Sequence, residues 1–460
     1  MLQFLKQAFW TSLITNISSV ISLVFIAIIA RFISPDTFGI YVFCLASREI
    51  ISSICSPSLS QTYLFSDGTK NDFKNVCKIG LLFSIIILIV SIIGGKIISN
   101  HFGEFYHNII IIFALLSILN NYSSIFLSIG EKKMDFKNTQ IFRSLALIIS
   151  LIISCIFAFK LGDDINVLIL KEVSFSFILF LFSIFFYKKF NKIKKNKNNN
   201  KSFIKLFNYS LRSYIPRMTE IFSYKIFDFF TASLLGKNLL GLFSQTLNII
   251  KIPYRFLGAI TDNILFVHIK DEKNKNKKND EFCKIQYLIL ILIIPTILIF
   301  NFFNYEIINF ILGTKWLDAA QIIGLLSIFI VILPFFNSLI TIYQASDNQR
   351  FYTAANCLIL SIQVLAMYFL PKNIETFIFI FCFSFLFATI FLVININNNK
   401  GYKRQNIFNI LLVIKLIIAL IVTYYYFTYM IILILIFLIW CNLIFKNRYL
   451  IFNIVKSWKN

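Results

Sequence analysis

The stretch that decides the fold is 208–230, NYSLRSYIPRMTEIFSYKIFDFF. It is long enough to cross a membrane as a helix, yet it holds five ionisable residues: Arg212, Arg217, Glu220, Lys225 and Asp228. A charge at the centre of a membrane helix costs about 2.5–3.5 kcal/mol, whereas a large apolar residue returns only about 0.3–0.6 kcal/mol. This helix therefore cannot face lipid on all sides, and its polar side must face protein or water.

The charged residues of this stretch collect on one face of the predicted helix. The pairs Arg217–Glu220 and Lys225–Asp228 have i,i+3 spacing, so each pair is predicted to neutralise itself in part. Pro216 is predicted to bend the helix. The residues that fall within an arc of roughly 140° are Ser213, Arg217, Glu220, Tyr224, Lys225, Asp228 and Thr231.

The rest of the chain has the composition of a polytopic membrane protein. Of its 460 residues 58% are hydrophobic and 14% are charged, whereas soluble domains are about half apolar and a quarter charged. The first apolar run follows MLQFLKQAFW without a small-residue cleavage site, so it is expected to remain as a helix. The formal net charge of +23 lies mostly in short loops, which favours membrane topology over nucleic-acid binding as its explanation.

Cysteine and histidine indicate neither a metal site nor a bound cofactor. The eight Cys are scattered through apolar runs without a C-x-x-C pair, and the three His are far apart. We therefore expect no metal and no cofactor.

The apolar runs predict an all-α membrane protein with about 14 transmembrane helices, arranged as two six-helix bundles plus a C-terminal helix pair. The predicted domains are 1–190, a Lys/Asn-rich linker at 191–205, 206–395 and the terminal pair at 396–460. The linker is predicted to be solvated and to touch anionic lipid headgroups. The predicted spans are 11–33, 38–65, 76–99, 108–130, 139–161, 166–187, 206–235, 239–268, 285–309, 320–345, 352–370, 374–394, 408–428 and 429–445.

Basic residues concentrate in alternate loops, which predicts the orientation in the membrane. Eight Lys lie between 188 and 205 alone, and the loops around 70–78 and 132–137 are similarly basic. By the positive-inside rule these loops and both termini are predicted to be cytoplasmic. The opposite set of loops is poor in basic residues and contains only Arg31, Lys96, Lys160, Lys171, Lys237, Lys315 and Lys372.

Three other predicted helices carry charges and are predicted to surround a cationic, water-filled cavity with the first. The span 239–268 has Ser244, Asn248, Lys251, Arg255 and Asp262 within roughly 60° of one another. The span 38–65 adds Arg48 and Glu49, and the span 139–161 adds Arg143, which like Lys415 lies near a cytoplasmic end and is expected to snorkel.

The excess of bases over acids in this set favours an anionic cargo, while interhelical ion pairs are the structural alternative. The residues predicted to bind the cargo are Arg48, Arg217, Lys225, Lys251 and Arg255. The candidates for coupling to H⁺ or Na⁺ are Glu49, Glu220, Asp228 and Asp262.

Four stretches resemble the polysaccharide flippases of the Wzx type in the MOP exporter superfamily. They are ARFISPDTFGIYVFCLA (30–46), GEKKMDFKNTQIFRSLALIIS (130–150), LLGKNLLGLFSQTLNIIKIPYRFLGAITDNILFVHI (234–269) and ILGTKWLDAAQIIGLLSIF (311–329). In the first, Ser34 is expected to cap the second helix, Pro35 to begin it and Gly39 to permit close packing. The third departs from the family at Phe243, where Tyr is usual, and at Asp262 and His268.

This resemblance implies two inward-facing helix bundles, alternating access and an undecaprenyl-diphosphate-linked oligosaccharide as cargo. It further implies the bacterial inner membrane, a role in O-antigen or lipopolysaccharide biosynthesis, and polymerase and chain-length proteins as partners, without nucleic acid. A diphosphate suits Arg side chains in a wet cavity, and Tyr214 and Tyr224 are candidates to stack on sugar rings.

Three alternatives stay open from the sequence. A multidrug or cation antiporter of the same superfamily would favour an acidic or aromatic cavity, and a peptidoglycan-precursor flippase would need similar cavity chemistry. A membrane polysaccharide polymerase or ligase is a different class. The short external loops and the lack of a visible nucleophile–base pair disfavour an enzyme.

Overall fold

The computed structural model describes residues 2–55, 59–66, 68–133, 135–190, 203–212, 214–271, 291, 293–345 and 349–398. These residues are helical apart from short connections, and no strand occurs among them. They divide into two compact units, Met1–Gly241 and Leu242–Asn460.

The first unit contains nine helices and the beginning of a tenth. They are α1 (Leu2–Phe32), α2 (Pro35–Cys55), α3 (Leu59–Phe65), α4 (Lys70–Phe102), α5 (Phe105–Lys132), α6 (Phe136–Leu161), α7 (Ile165–Phe190), α8 (Phe203–Arg212), α9 (Tyr214–Leu235) and the first turn of α10 (Lys237–Asp271). Helix α2 lies at the centre, because it packs on α4, α5, α7 and α9. Any side chain on α2 can therefore meet residues from several helices.

Local sequence signals fix where these helices begin. The backbone N–H of Thr37 donates to Ser34 Oγ at 3.4 Å and α2 begins at Pro35, as predicted. Helix α4 begins with a capping box in which Thr69 and Asp72 satisfy each other's backbone N–H groups. Gly39 permits the predicted close packing, since a Cβ there would lie 1.8 Å from the carbonyl oxygen of Lys237.

The second unit contains the rest of α10 and five further helices. These are α11 (Ile293–Phe302), α12 (Asn304–Ile311), α13 (Ala319–Ala345), α14 (Gln349–Phe369) and α15 (Ile374–Asn398), with a short 3₁₀ turn at Thr314–Trp316. The LGTKW stretch has a structural role: Gly313 adopts a φ of 92°, and the Trp316 side chain is fully buried. Helix α13 packs on α14 and α15, and Phe329, Phe381 and Phe385 meet in this core.

The predicted spans agree with the helices over the described residues, with three differences in shape. The predicted span 38–65 contains two helices, α2 and α3. The predicted span 206–235 is two helices, α8 and α9, and the predicted span 285–309 bends by 86° between α11 and α12. Nine helices in the described ranges are long and apolar enough to cross a membrane, or ten if the bent pair is one span. Helices α9 and α10 are long enough but are too polar to belong to that set. The last two predicted spans, 408–428 and 429–445, lie outside the described residues.

The predicted division of the chain after residue 190 stays a prediction. In the structure, α8 and α9 pack with the first unit: α9 lies along α2, and α8 contacts α3 and α4. This position of α9 brings the stretch 214–230 against the centre of the first unit.

Candidate functional site

A chain of ion pairs joins three helices of the first unit. Arg48 Nη1 lies 3.7 Å from Glu172 Oε2, and Arg48 Nη2 lies 4.0 Å from Glu49 Oε1. Lys225 Nζ lies 3.4 Å from Glu49 Oε2 and 3.3 Å from Asp228 Oδ2. Lys171 Nζ, 3.3 Å from Glu172 Oε1, completes a series that alternates in sign. We call this the charge network: Lys171, Glu172, Arg48, Glu49, Lys225 and Asp228.

The charge network explains how apolar helices keep so many charges. Its three cations and three carboxylates come from α2, α7 and α9, and each has a partner of opposite sign within 4.0 Å. Pairing is what makes charges tolerable in a low-dielectric interior. Glu172 has a further partner, because the Tyr41 hydroxyl donates to its Oε1 at 2.8 Å.

A cavity of about 480 Å³ lies beside the charge network, within the first unit. Four charged residues line it: Arg48 and Glu49 from α2, Arg143 from α6 and Arg217 from α9. Three guanidinium groups therefore meet one carboxylate at its wall. Its volume is in the range of small-molecule binding sites.

The three arginines differ in how they are held. Arg143 Nη2 donates to Glu131 Oε1 at 2.8 Å, and Arg48 lies over the Phe113 ring with its Cζ 5.6 Å from the centroid. Arg217 is exposed and makes no ion pair with any residue that the structure describes. Arg217 is thus the cavity arginine whose charge is least compensated by protein.

Neutral polar groups form most of the rest of the cavity wall, with Leu59, Met218 and Ile221 as its apolar part. Helix α5 contributes Ser117, Asn120, Asn121 and Ser124, and α2 and α3 contribute Ser52, Ser53 and Ser60. Tyr214 also lines the cavity, and its hydroxyl donates to the carbonyl oxygen of Ile54. A cavity of this kind holds hydrogen-bonding anionic molecules better than apolar ones.

The predicted site residues fall into four groups in the structure. Arg48, Glu49 and Arg217 line the cavity together. Lys225 and Asp228 form their predicted i,i+3 pair inside the charge network and do not line the cavity. Glu220 is exposed away from the cavity lining, and the predicted Arg217–Glu220 pair is absent. The second unit carries the remaining three: Lys251, Arg255 and Asp262.

Of these three, Lys251 Nζ lies 5.8 Å from the centroid of the Phe329 ring. Arg255 and Asp262 lie in α10, and their side chains fall outside the described residues. Their predicted roles stay predictions.

Several site residues escaped the sequence analysis. Lys171 was counted with a loop, but it lies inside α7 beside Glu172, where both join the charge network. Arg143 was placed on a helix of the predicted cavity but was left out of the cargo-binding set because it was expected to snorkel, and it lines the cavity. Lys171 and Glu172 could have been identified from the sequence. They lie inside an apolar span, and, as in residues 208–230, charges in such a span cost too much free energy to face lipid.

Within the described ranges no group of three or more His, Cys, Asp or Glu residues is close enough to hold a metal ion. Helices long and apolar enough to cross a membrane, together with a polar, arginine-rich cavity among them, define a polytopic membrane protein rather than a soluble binding protein. The chain belongs to the family described as polysaccharide biosynthesis protein, whose model matches residues 28–321.

Solved structures show the same fold. A lipid II flippase, MurJ, in an inward closed conformation aligns with a TM-score of 0.66 at 16% identity, covering 96% of this chain and 99% of that one. An outward-facing multidrug resistance MATE transporter of the MOP superfamily aligns with a TM-score of 0.57 at 14% identity, covering 91% and 97%. A MOP superfamily transporter from Pyrococcus furiosus, described as having a binding pocket of reverse polarity, aligns with a TM-score of 0.51 at 13% identity, covering 91% of this chain and 92% of that one. No curated protein is similar enough in sequence to match the chain.

Proposed function

We propose that this protein is a flippase that moves undecaprenyl-diphosphate-linked oligosaccharide repeat units across the bacterial inner membrane. Transport proceeds by alternating access, without a chemical reaction, a metal or a bound cofactor. The family supports a polysaccharide pathway, and the fold is shared with a flippase of a lipid-linked molecule. The translocated repeat units serve O-antigen or lipopolysaccharide assembly, with polymerase and chain-length proteins acting downstream.

The observation that carries the proposal is the set of three cavity arginines. Arg48, Arg143 and Arg217 come from three helices and line one polar cavity. A guanidinium binds phosphate oxygens in a bidentate manner, and such charge-assisted hydrogen bonds contribute about 1.5–3 kcal/mol each. A diphosphate headgroup fits this lining, and the polyprenyl chain remains in lipid.

The arginines and the charge network have different roles in this proposal. Lys225 lies outside the cavity lining and is held by two carboxylates, so we assign it to the network rather than to cargo. Glu49 belongs to both, and it is the carboxylate of the network that lines the cavity. Coupling to H⁺ or Na⁺ through Glu49, with Asp228, Glu220 and Asp262 as further candidates, is part of the proposal.

A peptidoglycan-precursor flippase is the second candidate, because the structure with a TM-score of 0.66 is a lipid II flippase. Both cargos carry a diphosphate, so the arginines do not separate them. A drug or cation antiporter is disfavoured, because three guanidinium groups in one cavity repel a cationic ligand.

The test is a gene deletion, followed by measurement of where lipid-linked repeat units accumulate. We expect complete single units on the cytoplasmic leaflet, cleared by the wild-type gene. An Arg217→Gln/Arg143→Gln variant should fail to clear them. Arg350→Gln, which removes an exposed arginine at the start of α14, is the matched control and should restore transport. Accumulation on the periplasmic leaflet would instead support a polymerase, and lethality with accumulated lipid II would support the second candidate.

A further inference from the structure

Four neutral polar residues of α5 lie on one side of the helix. They are Ser117, Asn120, Asn121 and Ser124, and we call them the α5 polar face. The spacing i, i+3, i+4, i+7 places them on one side of the helix, and all four line the cavity. None of them is charged, so attraction to an anionic cargo does not explain why they line the cavity.

Asn120 is the residue of this face that points most directly to a ligand. Its side-chain amide makes no hydrogen bond to any residue that the structure describes, and its Oδ1 is fully buried. Buried side-chain amides are nearly always hydrogen-bonded in proteins, so an amide left without a partner at a cavity wall calls for one. In contrast, Ser117 and Ser124 satisfy their hydroxyls by donating to the carbonyl oxygens of Phe113 and Asn121.

The α5 polar face lies next to the arginines. Arg48 stacks over Phe113, and Ser117 follows Phe113 by one helical turn, which is about 6 Å along the axis. A group bonded directly to a diphosphate at the arginines therefore reaches α5. In the proposed cargo that group is the first sugar of the oligosaccharide.

We infer that the α5 polar face is a subsite for a neutral sugar, the one that is joined to the diphosphate, and that Asn120 determines its recognition. This inference rests on the proposed function. An amide donates and accepts a hydrogen bond at once, as sugar hydroxyl and acetamido groups do. A site that hydrogen-bonds such groups rejects a molecule lacking them, because its own polar groups are left unpaired.

The experiment measures binding to the purified full-length protein in nanodiscs. The probes are bare undecaprenyl diphosphate and the same lipid carrying one hexose, one N-acetylhexosamine or one hexuronic acid. Wild type should bind at least one of the two neutral-sugar lipids about tenfold more tightly than the bare lipid, consistent with a few added hydrogen bonds.

Asn120→Ala should reduce this ratio to near one without changing the Kd of the bare lipid, and Asn120→Gln should restore part of it. Arg217→Gln should weaken binding of both kinds of lipid equally. Asn100→Ala, an exposed asparagine near the end of α4, is the matched control and should behave as wild type.

The outcomes separate the two proposals. If wild type binds bare and neutral-sugar lipids equally, or if Asn120→Ala weakens both equally, the sugar subsite is wrong and the diphosphate flippase stands. If the hexuronic acid lipid binds tightest, the preference for a neutral sugar is wrong. If wild type binds none of the four probes, the proposed function itself fails.

Discussion

Glu172 is the residue on which most of the charge network depends. It faces Arg48 and Lys171 and accepts a hydrogen bond from Tyr41, and its side chain is only 14% exposed. Its removal leaves Lys171 without its carboxylate and Arg48 with Glu49 alone, and breaking a buried pair of this kind typically costs about 3–5 kcal/mol. Glu172 also holds the guanidinium of Arg48 beside the cavity.

We therefore predict that Glu172→Gln lowers the thermal unfolding temperature of the purified protein by several degrees. Combination with Lys171→Met should recover part of the loss, because the cation that lost its carboxylate is then removed as well. Glu104→Gln, at an exposed carboxylate before α5, is the control. A Glu172→Gln variant as stable as this control would mean that the network contributes no net stability.

A variant of Lys225 tests whether this residue belongs to the charge network or binds the cargo. Its ammonium lies between Glu49 and Asp228, outside the cavity lining. We predict that Lys225→Gln lowers stability but leaves the Kd of bare undecaprenyl diphosphate within about twofold of wild type, whereas Arg217→Gln weakens binding about tenfold or more. If both variants weaken binding of the bare lipid equally, Lys225 binds cargo, as predicted from the sequence.

At the scale of elements, the close contact between α2 and the start of α10 is the tightest feature of the first unit. A Cβ on Gly39 would lie 1.8 Å from Lys237 O, and one on Gly241 would lie 2.0 Å from Pro35 O. Phe43 and Phe229 stack nearby at 5.2 Å between centroids. Backbone atoms form both glycine contacts, so no side-chain rotation can relieve an added methyl group.

We predict that Gly39→Ala forces these segments apart and reduces both stability and transport. Gly94→Ala is the matched control, because its Cβ would meet only Ile51 Cδ1 at an ordinary 3.5 Å. Inside α4 that change should be neutral or stabilising by up to about 1 kcal/mol. Thermal unfolding and rescue of the deletion strain measure the two effects, and a fully active Gly39→Ala protein would show that the contact is not needed.

The positions of the helices were predictable where the free energy of placing a segment in a membrane depends only on its amino-acid composition. Apolar runs predicted the helices because lipid leaves few other structures available, and the motif at 30–46 predicted the start of α2. The bend of 86° between α11 and α12 was not predictable, since no proline or glycine marks the break at residue 303. The separation of α8 from α9 had only Pro216 as a signal.

The types of residue in the site were predictable from the sequence, but the ion pairs that these residues form were not. The charges in α2 and α9 were identified as inward-facing because lipid excludes them. Whether a given cation binds cargo or a carboxylate depends on which helices are neighbours, and the packing of α2 against α7 is what assigns Arg48 to Glu172. The α5 polar face went unnoticed because uncharged residues carry a weaker signal than charges in an apolar helix.

At the scale of the whole molecule, the cavity lies toward the helix ends that are predicted to be cytoplasmic. Its lining comes from the later part of α2, the second half of α5, the first turns of α6 and the first turns of α9. Helices α5 and α6 adjoin the Lys-rich loop at 132–137, whereas α2 and α9 lead to Lys-rich loops through α3 and α8. The positive-inside rule predicts those loops to be cytoplasmic. The orientation of the chain therefore decides from which leaflet the cargo reaches the arginines.

Single cysteines at exposed lysines on the two predicted sides test this orientation. Lys74→Cys and Lys188→Cys lie toward the predicted cytoplasm, whereas Lys96→Cys and Lys160→Cys lie at the opposite helix ends. In spheroplasts, a membrane-impermeant maleimide should label the cysteines at 96 and 160 above the wild-type background, and those at 74 and 188 only after permeabilisation. The reverse pattern would place the cavity nearer the periplasm, and a cargo made in the cytoplasm would then have to enter from a different conformation.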